Sequence, residues 1–279
     1  MPDPIDLARG TRNTRGLIKW QTFGQNNDVD TATDPEQIWD YSGAATWVSP
    51  TQARVHNIVS GHADDDGTPY ATGNGAHYVW VYGISANGDM VKEVVKLNGV
   101  AAVATTFEYT CVNRLTAHRE FGSSLAQNVG EITATAATDG TVTRSIAAGA
   151  GQSLAAVFQT PRGHTSWLTR CFASMQKKTG TSADIVLHVM NHRSYVWNTI
   201  MVRGLISDGS SYFDEVLQSP HTISELSYIK MEAEVSADNT DIAGGWALTM
   251  RNDNKPKTYF IGDIGNTSED RRFIQDISG

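Results

Sequence analysis

The residues with chemistry in them are thinly spread along this chain. Asp64-Asp65-Asp66-Gly67 is the densest carboxylate cluster, and three acidic residues before a glycine have the hard oxygen donors that calcium prefers. Their spacing lacks the alternate acidic positions and the closing Glu of a helix-loop-helix calcium site, so the expectation is a solvated surface loop. Asp238 with Asp241 reads the same way. His188 and His192 stand four apart, which aligns two ligands on a helix but not on the strand that this text predicts. His118-Arg119-Glu120 reads as a polar loop tip without a positioned partner. Cys111 and Cys171 both lie in apolar, strand-like text and are expected as buried free thiols. Carboxylates that cleave glycosides pair in space, and no pair here is singled out by spacing. There is no Gly-x-Ser-x-Gly, no phosphate loop ending in Gly-Lys-Ser/Thr, and no Gly-x-Gly-x-x-Gly after a strand. No cofactor or metal site is predicted.

The elements that must position these residues read as β almost throughout. His77 to Ile84 alternates with period two, Asn87-Gly88-Asp89 makes a tight turn, and Met90 to Leu97 returns before a second turn at Asn98-Gly99. Asn and Gly tolerate the positive φ of such turns. Further strands are expected over 107–115, 130–136 and 141–146, with a turn at Asp139-Gly140. Ala147-Ala148-Gly149-Ala150-Gly151 has no side chains to pack and is the expected domain boundary. Beyond it, strands are expected over 152–160, 164–174, 183–191, 195–202, 212–218, 228–236 and 242–251. A turn is expected at Gln176 to Gly180, and a single helical turn at Pro35 to Trp39. Trp80, Tyr82, Trp167, Trp197 and Trp246 occupy strand positions, where core packing is the default and an exposed sugar-stacking platform the minority reading.

The whole is predicted as all-β, with two antiparallel β-sandwich (jelly-roll-like) domains and extended terminal arms. The divisions are an N-terminal arm 1–50, a first sandwich 51–148, a second sandwich 149–252, and a C-terminal extension 253–279. The N-terminal arm is polar but carries Trp20, Phe23, Trp39 and Trp47, which are the candidate partner-interface residues because sparse large apolar groups cannot build a core alone; packing of the arm on its own domain is the equal alternative.

Composition narrows the function classes. The 279 residues carry 22 Lys plus Arg against 30 Asp plus Glu, a formal net charge of −8. An acidic balance argues against broad nucleic-acid binding. No run approaches the 18 or so apolar residues of a spanning helix, so no membrane partner is expected. The acidic, Pro-containing start Met1-Pro2-Asp3-Pro4 lacks the features of a secretory signal, which implies folding in a cytoplasm.

Two passages carry a resemblance. One is Ala76-His77-Tyr78-Val79-Trp80-Val81-Tyr82-Gly83-Ile84-Ser85-Ala86-Asn87-Gly88-Asp89, followed by Glu93-Val94-Val95-Lys96-Leu97-Asn98-Gly99-Val100. The other is Asn128-Val129-Gly130-Glu131-Ile132-Thr133-Ala134-Thr135, followed by Ile146 to Leu154. Together with Ile229 to Thr240, they resemble structural (virion) proteins of tailed bacteriophages, of the type common among phages of aquatic bacteria. The resemblance spans roughly residues 53 to 250 and rests on turn and strand signatures, not on catalytic residues. It implies a non-enzymatic virion component assembled in the host cytoplasm. A capsid decoration or cement protein that stabilises the head by binding major capsid protein is the first expectation. A tail, baseplate or fibre component contacting the host surface or glycans is the second, and a glycan-degrading enzyme the third. Other virion proteins are expected as partners, with a homo-oligomer, guessed as a trimer, as the assembled form.

Overall fold

The computed structural model describes residues 17–32, 34–43, 46–67, 74–118 and 127–253. The C-terminal extension, expected over 253–279, lies outside the described residues except for Asp253. Thirteen strands run through the described residues. They begin with β1 (Leu17–Val29), β2 (Glu36–Gln37), β3 (Arg54–Ser60), β4 (Tyr78–Ser85), β5 (Met90–Lys96), β6 (Val103–His118), β7 (Ile132–Ala136) and β8 (Val142–Ile146). β9 (Val157–Gln159), β10 (His164–Met190), β11 (Trp197–Ile223), β12 (Tyr228–Val235) and β13 (Thr240–Asn252) complete the set. All named pairings are antiparallel, and the all-β reading holds.

The first sheet has six strands in the order β5-β4-β6-β3-β7-β8. Its turns are those the sequence marks: Gly88, Gly99 and Gly140 all have positive φ. β6 is long because it serves two neighbours, with Val103 to Tyr109 along β3 and Tyr109 to His118 along β4. The sheet curls until Arg144 of β8 reaches the Val112 carbonyl of β6 at 2.8 Å. Ile58, Val79, Val81, Val95, Val112, Leu115, Ile132 and Ile146 fill the enclosed core.

The second sheet is built around one hairpin. β10 and β11 have 27 residues each and pair from Ser166↔Ile223 to Met190↔Trp197. The turn expected at 176–180 is a bend inside β10. Lys177 pairs with Gly209 and Thr181 with Ser207, so an excess of residues on β10 forms a bulge, with Gly180 at φ 85. A bulge and a turn have the same local composition, and pairing on both sides decides between them. For the same reason the separate strands expected over 195–202 and 212–218 are one strand, β11.

The bend folds the hairpin back on itself. Arg203 and Glu215 stand twelve positions apart on β11 yet meet at 2.7 Å. A straight strand would separate them by about 40 Å. β13 pairs with the first half of β10 and β12 with the second half. The inward residues of both halves (Cys171, Ala173 and Met175 with Ala183, Ile185 and Leu187) therefore share one core with Met231, Ile242, Trp246 and Leu248. The halves pack closely at glycines. A Cβ on Gly24 of β1 would lie 2.1 Å from the Ile38 carbonyl oxygen, and one on Gly244 of β13 would lie 2.7 Å from the Met231 sulfur.

The N-terminal stretch does not extend as an arm over its described part. β1 pairs with β13 from Leu17↔Arg251 to Val29↔Thr240, and β2 pairs with β12. The approach is close at Gly245 of β13, where a Cβ would lie 2.2 Å from the Thr22 carbonyl oxygen of β1. Pro35 to Trp39 forms no helical turn. Gln37 is wholly buried there, and its amide donates to the Ala156 and Met231 carbonyls at 3.1 and 2.7 Å.

The two sheets meet at a seam of Trp39, Trp47, Cys111, Ala155, Val157, Met190 and Tyr228. Asn113 donates to the Gln159 carbonyl at 3.1 Å and accepts from the Gln159 N–H at 2.9 Å. The small-residue segment 147–151 is tied down by Asn128, which bonds the Ala147 carbonyl at 2.8 Å and the Gly151 N–H at 2.9 Å.

Candidate functional site

β4 lies between β5 and β6, and its alternation sends Val79 and Val81 into the core and Tyr78, Trp80 and Tyr82 to the outer face. Register places Lys96 and His118 on either side of Tyr78, Val94 and Thr116 beside Trp80, and Lys92 and Arg114 beside Tyr82. The result is a three-by-three grid, with an aromatic row in the centre and basic residues at all four corners. The aromatic row is about 13 Å long from Tyr78 to Tyr82.

The corners hold to the rings. Lys92 Nζ sits 3.4 Å from the Trp80 ring centroid and 5.0 Å from that of Tyr82. Lys96 Nζ lies 6.0 Å from Tyr78, and His118 meets Trp80 edge to face at 6.1 Å. The lysine contacts are cation–π distances, and they present ammonium groups above an aromatic floor. Partial burial, with Lys92 adding repulsion, holds His118 below the usual histidine range. Trp20 of β1 extends the row. Its ring is 6.5 Å from Tyr82 and lies 4.8 Å from the Arg114 guanidinium, which also donates to the Gln21 carbonyl.

Of the four candidate interface residues, Trp20 alone joins this face. Phe23 is half-buried in β1, opposite Gly245 of β13. Trp39 and Trp47 are 2% and 4% exposed and belong to the seam, where Trp47 Nε1 donates to the Thr143 carbonyl at 2.9 Å. They are core, because the seam between two curled sheets needs large side chains that both share. Sequence reasoning missed Tyr78, Lys92, Lys96 and Arg114 as a set. The signal was the aromatic triplet at alternate positions, but the cations join it only through register. Of the other strand aromatics, Trp246 is fully buried.

The chemistry-bearing groups have structural partners. Asp65 is not on a solvated loop; it is fully buried. Its carboxylate accepts from the N–H groups of Ala76 and Val129 at 2.8 Å and Gly130 at 2.9 Å, and from the Ser60 hydroxyl at 2.6 Å. Asp238 accepts from Thr31, and Asp30 from the Asn239 N–H, which joins two loops. His188 Nε2 is 3.2 Å from the Glu232 carboxylate, whereas His192 lines a cleft of about 400 Å³ with His164, Arg193, Glu225 and Asp253. Burial holds the His188 pKa down, with Glu232 opposing it. A second cleft, of about 740 Å³, is acidic, with Asp28, Asp30, Glu36 and Asp40 on its walls. Burial raises the carboxyl pKa of both Glu36 and Asp40. Cys111 and Cys171 are buried free thiols, each pushed up to about 12 by burial, so neither is a thiolate nucleophile near neutral pH. Among the described residues no group of three or more His, Cys, Asp or Glu is placed to hold a metal ion.

No protein-family model matches the chain, and no curated protein matches it. Among solved structures, the chain is similar to that of infectious bursal disease virus Gt strain at 9% identity and a TM-score of 0.21, covering 92% of this chain and 80% of that one. It is similar to the infectious bursal disease virus VP2 subviral particle at 10% identity and a TM-score of 0.22, covering 90% and 77%. Superpositions at these scores do not establish a common fold.

Proposed function

We propose that the chain is a non-enzymatic structural protein of a tailed-bacteriophage virion, most specifically a decoration or cement subunit that binds major capsid protein and assembles as a homo-oligomer. The observation that carries this reading is the outer edge of β11. Among the described residues no strand pairs with that edge along its 27 residues. Natural proteins guard long edges with Lys, Pro or charge. β11 has no Lys, and its single Pro, Pro220, stands near its C-terminal end, so Trp197 to Ser219 carries neither. Arg203 is neutralised by Glu215, and Asp214 by Arg170, within the chain. Val202, Ile206, Tyr212 and Val216 stand exposed on it, Ile206 at 81%. An edge left open in this way suits pairing with a partner chain.

The test is localisation by cryo-electron microscopy of the particle, alongside light scattering on the purified chain. Density in regular array over the capsid lattice is the expected result, and an Ile206→Lys variant should fold normally but fail to assemble. Absence of the chain from the particle would overturn the reading.

The grid on β4, β5 and β6 favours a second reading, a tail, baseplate or fibre component that contacts host-surface glycans. Density confined to the tail would support it over the first.

A further inference from the structure

We infer that the open edge of β11 pairs with the same edge of a second copy of this chain about a two-fold axis, so that both layers of the second sheet run on from one copy into the other. The inference rests on the edge reading above and names the partner. Three observations carry it.

The first is that β11 offers two edges at once. Its bend sets Arg203 against Glu215 at 2.7 Å, and Met201, Phe213 and Leu217 pack against the same core as Leu205. The stretches 201–207 and 211–217 therefore lie one above the other, in different layers, along one side of the molecule. Among the described residues neither pairs with any strand but β10.

The second is self-complementarity. A two-fold contact brings a patch against itself, so its features must read alike from both ends. On the outer face of the first stretch, Val202 and Ile206 stand two positions either side of Gly204; on the second, Tyr212 and Val216 stand two positions either side of Asp214. All four apolar side chains are exposed. One axis perpendicular to the layers, through Gly204 in one and Asp214 in the other, sets Val202 of each copy against Ile206 of the other, and Tyr212 against Val216. Such cross-strand apolar pairs stabilise an antiparallel contact. Charge agrees with this placement. Asp214 lies on the axis, and Arg170 neutralises it at 2.6 Å, while Arg203 and Glu215 cancel within each copy. Two chains of formal net charge −8 thus meet at a neutral edge.

The third observation is size. Each stretch is about 24 Å long and the layers are about 10 Å apart, so with side chains the contact covers roughly 500 Å² per copy, or about 1,000 Å² in total, where specific association begins. Backbone hydrogen bonds along two strands add to it. The Val202 carbonyl takes a bond from Arg203 Nη1 at 3.0 Å, and its second lone pair still serves a facing strand.

The experiment is multi-angle light scattering of the full chain, with cysteine cross-linking to read the register. The chain should run at twice the mass of one copy, and Ile206→Lys should weaken the dimer at least tenfold with its melting curve unchanged. Under copper phenanthroline, Gly204→Cys should link to itself, since facing residues lie about 4.5–5.5 Å apart. A Cβ at Gly204 meets nothing closer than Asp184 Oδ1 at 3.4 Å, so that variant should fold. Val202→Cys alone should not link, its two copies lying about 14 Å apart, but it should link when mixed with Ile206→Cys. Cys111 and Cys171 are buried and stay out of the reaction. A monomeric chain, or Val202→Cys linking to itself as well as Gly204→Cys does, would overturn the inference. A monomer whose Ile206→Lys variant loses capsid binding would overturn it while leaving the edge reading standing. A dimer with the expected links supports the inference even where the chain is absent from the particle, so the two readings fail separately.

Discussion

Replacing Arg144 with Met should uncouple the two sheets. Arg144 is fully buried, and its guanidinium donates to three carbonyls: Val112 at 2.8 Å from Nε, Ala155 at 3.0 Å from Nη1 and Val157 at 3.0 Å from Nη2. One side chain of β8 thus ties β6 to the segment that leads into β9. Burial pushes its pKa down to about 10, so the cation is held at a desolvation cost that the three carbonyls offset. Each hydrogen bond from a charged donor is worth about 1.5–3 kcal/mol, or roughly 4.5–9 kcal/mol for the three. Against this, removing the cation relieves a desolvation cost of several kcal/mol. Leaving buried carbonyls unpaired tips the balance, and the expected net loss is about 3–5 kcal/mol. Lys at this position keeps the charge but cannot span three acceptors, so it should lose about half as much. Urea unfolding followed by tryptophan fluorescence and far-ultraviolet circular dichroism reads both effects. The fluorescence transition should move below the dichroism transition, because Trp39 and Trp47 sit in the seam that Arg144 closes. A Met variant within about 1 kcal/mol of the parent, with coincident transitions, would refute the claim that Arg144 holds the seam.

Three further outcomes follow from the packing. Trp47→Ala should cost about 3–5 kcal/mol of stability, as a buried Trp does, and Trp39→Ala should behave alike; loss of partner binding at unchanged stability would contradict their placement in the core. Gly24→Ala should abolish folding or cost at least about 3 kcal/mol, since the new methyl meets backbone at 2.1 and 2.5 Å, and a normal melting curve would count against that close approach. His56 is buried, accepts no partner at Nε2 and has its pKa lowered by burial, with the Arg54 carbonyl at Nδ1 opposing. Its folded pKa lies below the unfolded value of about 6.5, so its stability contribution is complete above that pH and is lost as pH falls toward the folded pKa, by up to about 1.4 kcal/mol per pH unit. His56→Gln should flatten the acid limb of a stability-versus-pH curve, and an unchanged limb would refute the assignment.

What the sequence alone determined is what neighbours along the chain determine. The period-two runs at 77–84 and 90–97, the Asn-Gly turns between them and the buried state of both cysteines are set by side-chain alternation and by the φ that Gly and Asn tolerate. These were legible in the residues themselves, and so was the all-β class. The tertiary structure decided everything that depends on pairing across distance. Gln176 to Gly180 has the composition of a turn, and it is a bend because β12 and β13 claim opposite halves of β10. Trp39 and Trp47 read equally as anchors for a partner or for the chain's own domain, and they are core because a seam forms around them. Asp65 reads as one of three solvated acids, and it is buried because four donors from three segments converge on its carboxylate. The basic-and-aromatic grid exists only in register, since Lys92, Lys96 and Arg114 reach Tyr78, Trp80 and Tyr82 through strand pairing. β-Sheet contacts are non-local, and local text carries no record of which strand lies beside which.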